Sequence, residues 1–286
     1  MAASPETVQR VIATYRQAAA LNANLPARHG NVVVLNEQNA DEVMVTADLH
    51  GNRINFGKLL KIADLANHPR RHLVMQEVCH GGPTYPGGGC MSHIMLEDIA
   101  RLKTEFPEQF HFLMSNHELA ELTDFPITKH RRVLNLAFRC GLQEMYGCAA
   151  EDIRAACWEF LGSLPLAIRA GRAFICHSLP EHVDRDGFDT TVFDRPLTPE
   201  DLAKSGPAFR LVWGRDFRPA NADAFAKLVN ADLLIHGHEP CSDGFSVPNH
   251  RQLILDCCSE KACYLLLRLD EAWNQQSLVR QIERLT

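Results

Sequence analysis

Five short polar runs in this sequence carry side chains that can bind metal ions or transfer protons. Each run follows an apolar, strand-like segment, and in chain order they are ADLHGN from position 47, QEVCHGG from 76, SNHE from 115, CHSLP from 176 and GHEP from 237. The metal-binding side chains that they supply are Asp48, His50, Glu77, Asn116, His177 and His238. Oxygen and nitrogen ligands without a thiolate suit hard or borderline divalent metals such as manganese, iron or zinc. The runs therefore predict a site for two divalent metal ions.

The spacing of these residues supports that interpretation. Asp48 and His50 are two positions apart at a strand end, so their side chains point the same way and can share one ion. Glu77, after the next strand, is a carboxylate that can bridge to a second ion. Taken singly, each run has an ordinary explanation, since Asp-x-His suits a turn and Asn116 can cap a helix. Their recurrence after separate apolar strands favours a functional site.

The elements that position these residues alternate between strand and helix. In the first half, the strand patterns are EVMVTA, HLVMQ and FHFLMS, and the helix patterns between them are NFGKLLKIADLANH and SHIMLEDIARLKTEF. A βαβαβ series implies a mostly parallel sheet. Ligands of such sheets bind outside the carboxyl ends of the strands, so we expect the polar runs to converge there.

The remaining segments predict a second sheet and two helical regions. From Pro165 onward the strand patterns are LPLAIRA, RAFICH, DLLIHG, RQLILD and CYLLLRL, with Gly171 as a hairpin turn after the first of them. An amphipathic helix is expected at about 5–22 and a helical insertion at about 125–161. We find no internal repeat or linker, so we expect a single domain over residues 1–286.

Composition limits the classes of partner and location. The chain has 286 residues, 46% of them hydrophobic, and a net charge of -6, which favours neither a nucleic-acid partner nor a membrane. The amino terminus mixes charges with apolar residues and does not resemble a secretory signal. The 10 cysteines lack the spacing of a disulfide scaffold or of paired CxxC zinc ligands. We therefore expect a cytoplasmic protein, and the sequence leaves its oligomeric state open.

The ordered runs resemble the motifs of the calcineurin-like metallophosphoesterases, and within them the phosphoprotein (serine/threonine) phosphatase branch. That branch carries GDxHG, GDxVDRG, GNHE, HGG or HAG, and a late histidine, and the similarity extends from about Val43 to Leu269. The resemblance implies an α/β fold, a four-layer αββα sandwich of the metallophosphoesterase type. It also implies a metal-dependent hydrolase whose substrate is a phosphorylated protein or a small phosphoester.

The resemblance assigns roles to individual residues. The first metal ion would be bound by Asp48, His50 and Glu77, and the second by Glu77, Asn116, His177 and His238. Two ions roughly 3.5–4 Å apart lower the pKa of a bound water and make it the nucleophile. His117 would protonate the leaving oxygen as the general acid.

The second motif departs from the family pattern. In QEVCHGG, Glu77 occupies the position of the bridging aspartate, and His80 that of the aspartate that orients the catalytic histidine. Gly81 replaces a phosphate-binding arginine. Three further family glycines are replaced, by Ala47, Gln76 and Ser115. The metal-binding pattern is thus better retained than the phosphate-binding pattern, although His80 stays a candidate catalytic residue.

The motifs specify the phosphate-binding residues and the substrate less closely than the metal-binding residues. The segment LVWGRDFRP resembles a tryptophan-containing segment of bacterial relatives, and Arg215 is the candidate to bind phosphate through two hydrogen bonds, with Arg218 the second choice. Two alternatives to a protein phosphatase stay open. One is a hydrolase of nucleotides or dinucleoside polyphosphates. The other is a catalytically weak pseudophosphatase that binds metal or phosphoprotein.

Overall fold

The computed structural model describes residues 3–285, which form alternating strands and helices. The strands are β1 (Arg28–His29), β2 (Val32–Leu35), β3 (Glu42–Val45), β4 (Arg71–Gln76), β5 (Phe110–Leu113), β6 (Thr128–Lys129), β7 (Arg132–Val133), β8 (Ala167–Ala170), β9 (Ala173–Cys176), β10 (Leu233–His236), β11 (Phe245–Ser246), β12 (Gln252–Leu255), β13 (Cys263–Arg268) and β14 (Ile282–Arg284). The α-helices are α1 (Pro5–Ala23), α2 (Arg53–Ala63), α3 (Ser92–Glu105), α4 (Asn116–Thr123), α5 (Leu134–Tyr146), α6 (Ala150–Gly162), α7 (Val183–Asp186), α8 (Pro199–Leu202), α9 (Pro207–Trp213), α10 (Pro219–Leu228) and α11 (Gln275–Val279).

Two larger sheets organise these elements within residues 3–285. The five-stranded sheet has the order β14-β13-β3-β4-β5, and the seven-stranded sheet has the order β1-β2-β8-β9-β10-β12-β11. Strands β3, β4 and β5 are parallel, as the βαβαβ pattern predicted. With helices on the outer faces, the molecule is the expected α/β, four-layer αββα sandwich. No helix among the described residues is long and apolar enough to cross a bilayer.

Continuous apolar runs form the strands that lead to the predicted site. Leu73, Val74 and Met75 of β4 are fully buried, and β3 and β5 pair with β4 on its two sides. A parallel strand covered on both faces needs apolar residues at successive positions rather than at alternate ones. The polar residues that follow each strand therefore emerge at the edge of the core.

The prediction that CYLLLRL belongs to the second sheet is wrong. This segment is β13, which pairs antiparallel with β3 in the first sheet and places Leu265 opposite Val45. Without β13, the backbone groups of β3 would form an unpaired sheet edge. The second sheet instead gains β2, a strand that the sequence patterns missed, which runs parallel to β8.

The other predicted elements have the following bounds. Helix α1 begins after Ser4, whose side chain accepts the Thr7 N–H, and packs against α3 and α6. The region 125–161 starts with the short β6–β7 hairpin, so its first helix, α5, begins only at Leu134. Gly171 forms the predicted turn between β8 and β9 with φ +57°, a conformation that glycine adopts without steric cost.

Two histidines lie side by side inside the five-stranded sheet. His72 Nε2 donates to the Asn39 carbonyl at 3.1 Å, which leaves its Nδ1 to accept from His111 Nε2 at 2.9 Å. Burial lowers the pKa of His72 and holds that of His111 well below its usual range. Both rings are therefore neutral in the folded protein under conditions in which exposed histidines begin to protonate.

We predict that this pair makes stability depend on pH. Because the folded pKa values are lowered, the unfolded chain binds protons first, so stability is lost as the pH falls below the unfolded value of about 6.5. His111→Gln removes one such group and keeps an N–H donor for His72. Its melting temperature should fall less than that of wild type between about pH 7.5 and pH 5.5. His130→Gln, at an exposed turn, is the control, and an equal fall in all three proteins would contradict the prediction.

Candidate active site

The six predicted metal-binding residues lie at the carboxyl ends of strands from both sheets. Each follows its strand by a few residues at most, and β10 contributes its residue from the turn after His236. Ligand atoms within reach of a common ion occur in two groups among residues 3–285: His50, Glu77 and His117 in one, and Glu77, His177 and His238 in the other. The structure therefore brings four of the six predicted metal-binding residues into these groups, with Glu77 in both.

The backbone at Glu77 is held in an unusual conformation. Glu77 has φ +48°, a left-handed conformation that a residue with a β-carbon adopts only at a cost of about 1–2 kcal/mol. The Glu118 carboxylate compensates by accepting the N–H groups of Val78 at 3.0 Å and Cys79 at 2.9 Å. Glu118 is fully buried. It thus fixes the turn that directs the Glu77 side chain into the site, a role that the sequence analysis missed although Glu118 ends the SNHE run.

The first group surrounds one oxygen of Glu77. His50 Nε2 lies 2.9 Å from Glu77 Oε1, and His117 Nε2 lies 3.6 Å from the same oxygen. His50 Nδ1 is 3.3 Å from the Cys79 carbonyl, to which it donates. The opposite nitrogen of His50 is therefore the one that faces the carboxylate.

The tautomer of His177 is fixed by Gln76, which the sequence analysis noted only as the replacement for a family glycine. His177 Nδ1 lies 2.9 Å from Gln76 Oε1, and the amide nitrogen of Gln76 donates to the Thr46 carbonyl at 3.2 Å. The oriented amide leaves its oxygen as the acceptor, so Nδ1 of His177 carries hydrogen. The Nε2 lone pair of a neutral His177 is thereby directed into the site, as a histidine ligand requires.

The second group consists of acceptor atoms packed closely together. His177 Nε2 lies 2.7 Å from Glu77 Oε2, 2.7 Å from Asn116 Oδ1 and 3.1 Å from His238 Nδ1. Glu77 Oε2 is buried and makes no hydrogen bond of acceptable geometry, in spite of the short distance. Adjacent ligands of an octahedral ion with bonds of about 2.0–2.1 Å are about 3 Å apart. A proton can satisfy one or two of these atoms, whereas a divalent cation can contact all four, so the residues fit a metal ion.

Asp48 lies behind this group and belongs to neither set of three. Both of its oxygens accept the backbone N–H of His238, at 3.1 and 3.0 Å. A β-carbon on Gly237 would collide with Asp48 Oδ1, so the close approach requires glycine at that position. Burial and the Glu77 carboxylate raise the pKa of Asp48 to about 7. A bound cation would offset this repulsion and favour the ionised form.

A model of the calcineurin-like phosphoesterase family matches residues 42–242. The chain belongs to this family. It is accordingly a metal-dependent phosphoric ester hydrolase, and the matched region contains every residue of the two groups. Among curated protein sequences, none matches the chain.

Solved structures show the same fold at low sequence identity. A protein serine/threonine phosphatase from Saccharomyces cerevisiae is similar with a TM-score of 0.67 and 15% identity, over 91% of this chain and 82% of that one. A cold-active protein-tyrosine phosphatase of a psychrophile Shewanella species is similar with a TM-score of 0.55 and 16% identity, over 87% and 79% of the two chains. At these identities, the similarity concerns the fold.

The two candidate phosphate-binding arginines of this phosphoesterase are both engaged by carboxylates. Arg215 forms an ion pair with Glu239, next to His238, and is about half exposed. Arg218 is held by Asp184 at 2.9 and 3.0 Å and by Asp216. Arg218 thus contributes to the structure of a loop, whereas Arg215 would have to exchange a carboxylate for a phosphate.

An open pocket adjoins the first group at His50. It has a volume of about 640 Å³, and its lining includes His50, His80, Gly81, Arg53 and Lys129. A β-carbon on Gly81 would collide with the backbone of His50, so the backbone fills the space that an arginine side chain would need to leave this position. Lys129 makes no ion pair with any described residue, and its ammonium is available at the pocket wall.

We predict that Gln76 supports metal binding through His177. Gln76→Leu removes the acceptor that fixes the His177 ring, and loss of such a partner typically lowers metal affinity about 10–100-fold. Titration with Mn²⁺, followed by calorimetry, measures the change. Gln252→Leu is the matched control, because Gln252 is equally buried and contacts His236, which lies outside both groups. Equal affinity in wild type and Gln76→Leu would show that His177 needs no such support.

Proposed function

We propose that the protein is a serine/threonine phosphatase-like phosphomonoesterase that uses two divalent cations. The sharing of Glu77 is the observation that supports this most directly: Oε1 faces His50, and Oε2 faces His177. A carboxylate placed between two sets of nitrogen ligands can hold two cations and offset their mutual repulsion. Bound there, the cations would supply the Lewis acidity that activates water and neutralises charge on the phosphoryl group.

The two cations would share Glu77 and otherwise have separate ligands. His50 and Glu77 would hold the first, with Asp48 as the further ligand that the family motif implies. Glu77 would share the second with Asn116, His177 and His238. Manganese, iron and zinc all suit these oxygen and nitrogen atoms.

His117 would be the general acid. Its Nδ1 is 2.9 Å from His80 Nδ1, whereas its Nε2 lies 3.6 Å from Glu77 Oε1. The side chain is 12% exposed, so a substrate atom can reach it. A proton held at Nε2 would pass to the leaving oxygen as the bond to phosphorus breaks.

The pocket favours a phosphorylated side chain as the substrate. Its wall includes Leu49, Ile54 and Pro83, and Ile54 is 74% exposed. Apolar contacts of this kind suit the residues that flank a phosphorylated side chain in a protein. Lys129 could replace the cationic role of the arginine that Gly81 lacks. A nucleotide or dinucleoside polyphosphate would instead need several cations beside one another.

We expect wild type to hydrolyse p-nitrophenyl phosphate when Mn²⁺ is added, and to prefer phosphoseryl and phosphothreonyl peptides to dinucleoside polyphosphates. Glu77→Gln should bind fewer than two equivalents of Mn²⁺ and lose turnover, because the amide cannot offset the charge of two cations. Metal analysis and initial rates measure both effects. Two tightly held equivalents in Glu77→Gln would exclude the shared carboxylate. Metal binding by wild type without hydrolysis of any phosphoester would indicate the pseudophosphatase.

We also predict that His117→Asn retains Mn²⁺ near the wild-type level but hydrolyses esters with poor leaving groups slowly. General acid catalysis contributes on the order of 10²–10⁴-fold, and most where the leaving oxygen is basic. Comparing rates for phenyl phosphate, which has a poor leaving group, and p-nitrophenyl phosphate, which has a good one, measures this effect. If the variant cleaves phenyl phosphate as fast as wild type, His117 is not the acid.

A further inference from the structure

A further buried carboxylate, that of Glu121, is connected to the proposed acid through the ring of His80. His80 Nδ1 is 2.9 Å from His117 Nδ1, and His80 Nε2 is 2.5 Å from Glu121 Oε1. The side chains of His80 and Glu121 are 0% and 1% exposed. We propose that Glu121 and His80 are positioning residues that fix which nitrogen of His117 faces the substrate. The catalytic consequence rests on the proposed function, whereas the arrangement itself does not.

The fold holds His80 between two side chains of one helix. His117 and Glu121 are four residues apart on α4, so they lie on the same face, one turn from each other. The His80 ring bonds to both of them. Its backbone N–H donates to Ser92 Oγ at 3.0 Å, and the Phe138 ring packs against it edge to face at 5.8 Å. The imidazole therefore cannot leave this position without breaking several contacts.

The chemistry of the three groups sets the direction of the hydrogen bonds. An ionised carboxylate can only accept, so Nε2 of His80 donates to Glu121. The Nδ1 of a neutral His80 is then an acceptor, and the hydrogen between the rings belongs to Nδ1 of His117. The remaining nitrogen, His117 Nε2, is the one that exchanges a proton with a substrate.

This arrangement defines the proton step. When His117 carries protons on both nitrogens, the Nε2–H bond breaks, the proton bonds to the leaving oxygen, and Nε2 keeps the electron pair. The Nδ1–H bond stays intact and donates to His80 throughout. A ring of the opposite tautomer would present a bare Nδ1 to His80, and the interaction that orients the acid would be lost.

Glu121 also corrects the interpretation of the second motif. The sequence analysis placed His80 at the position of the aspartate that orients the catalytic histidine, and so found no carboxylate in that motif position. In the structure the carboxylate is present but displaced: Glu121 acts through the imidazole of His80. His80 and Glu121 together thus take the place of the single aspartate of the family motif.

Long-range ¹H–¹⁵N spectra of the metal-free wild-type protein test the arrangement without any assay of turnover. At about pH 8, above the usual histidine pKa, we expect hydrogen on Nε2 of His80 and on Nδ1 of His117, with the other two nitrogens bare. Hydrogen on Nδ1 of His80, directed at a bare Nδ1 of His117, would overturn the proposal. A wild-type protein that shows the expected tautomers but hydrolyses no phosphoester would refute the proposed function alone.

A pair of variants tests whether Glu121 affects catalysis by His117. In Glu121→Gln, the amide can donate as well as accept, so both tautomers of His117 should appear, and kcat for phenyl phosphate should fall about tenfold or more. KM and kcat for p-nitrophenyl phosphate should change much less. Glu97→Gln is the matched control, because Glu97 contacts the buried His93 at 2.9 Å and does not contact His117. Wild-type tautomers together with wild-type rates on both esters in Glu121→Gln would overturn the proposal, and if that variant does not fold, the wild-type spectrum decides.

Discussion

The carboxylate of Glu77 is buried between the imidazoles of His50 and His177, and its charge must be balanced inside the site. An unpaired buried charge is costly, so the protein needs either protons or cations beside it. Without cations, burial opposes protonation of His50, yet the carboxylates of Glu77 and Asp48 raise its pKa to about 9. Divalent cations remove the need for those protons, because their own charge offsets both carboxylates. Under the proposed function, metal binding would therefore depend on the packing around Glu77.

Residues that depart from the family motifs contribute to this packing. Gln76 replaces a glycine and orients His177, whereas Ser115 replaces another and accepts the N–H of His117 at 3.1 Å while contacting the Glu118 carboxylate. At Gly81, by contrast, a side chain of the family motif is missing. The close approach of Gly81 to the His50 backbone leaves no room for the family's arginine, so under the proposed function other groups would have to bind the phosphate. Under the proposed function, these substitutions would support the metal ligands and leave phosphate binding to other residues.

The sequence predicted those parts of the structure that depend on local patterns. Apolar runs ending in polar residues identified β3, β4, β5, β9 and β10, and the rule that parallel strands end at one edge predicted that their polar residues would meet. The sequence patterns did not predict pairings between distant segments. The pattern of β13 marks a strand but not its neighbour, and Glu121 reads as an ordinary helical residue until His80 folds against it. The ion pairs of Arg215 with Glu239 and of Arg218 with Asp184 were equally inaccessible, because these partners lie 24 and 34 residues away along the chain.

Helix α4 combines more of these constraints than any other element that we describe. Ser115 caps it, Asn116 contacts the second group, His117 lies between His80 and Glu77, and Glu118 holds the turn at Glu77. Glu121 then extends the series by one turn. Because a helix fixes the rotation of each side chain relative to the next, moving α4 by a single residue would turn all of these groups away together. Its placement is secured from outside the site, where Trp158 of α6 donates to the Glu121 carbonyl at 2.7 Å. Helix α6 therefore helps to align the proposed acid with the proposed metal-binding residues, although it supplies no ligand itself.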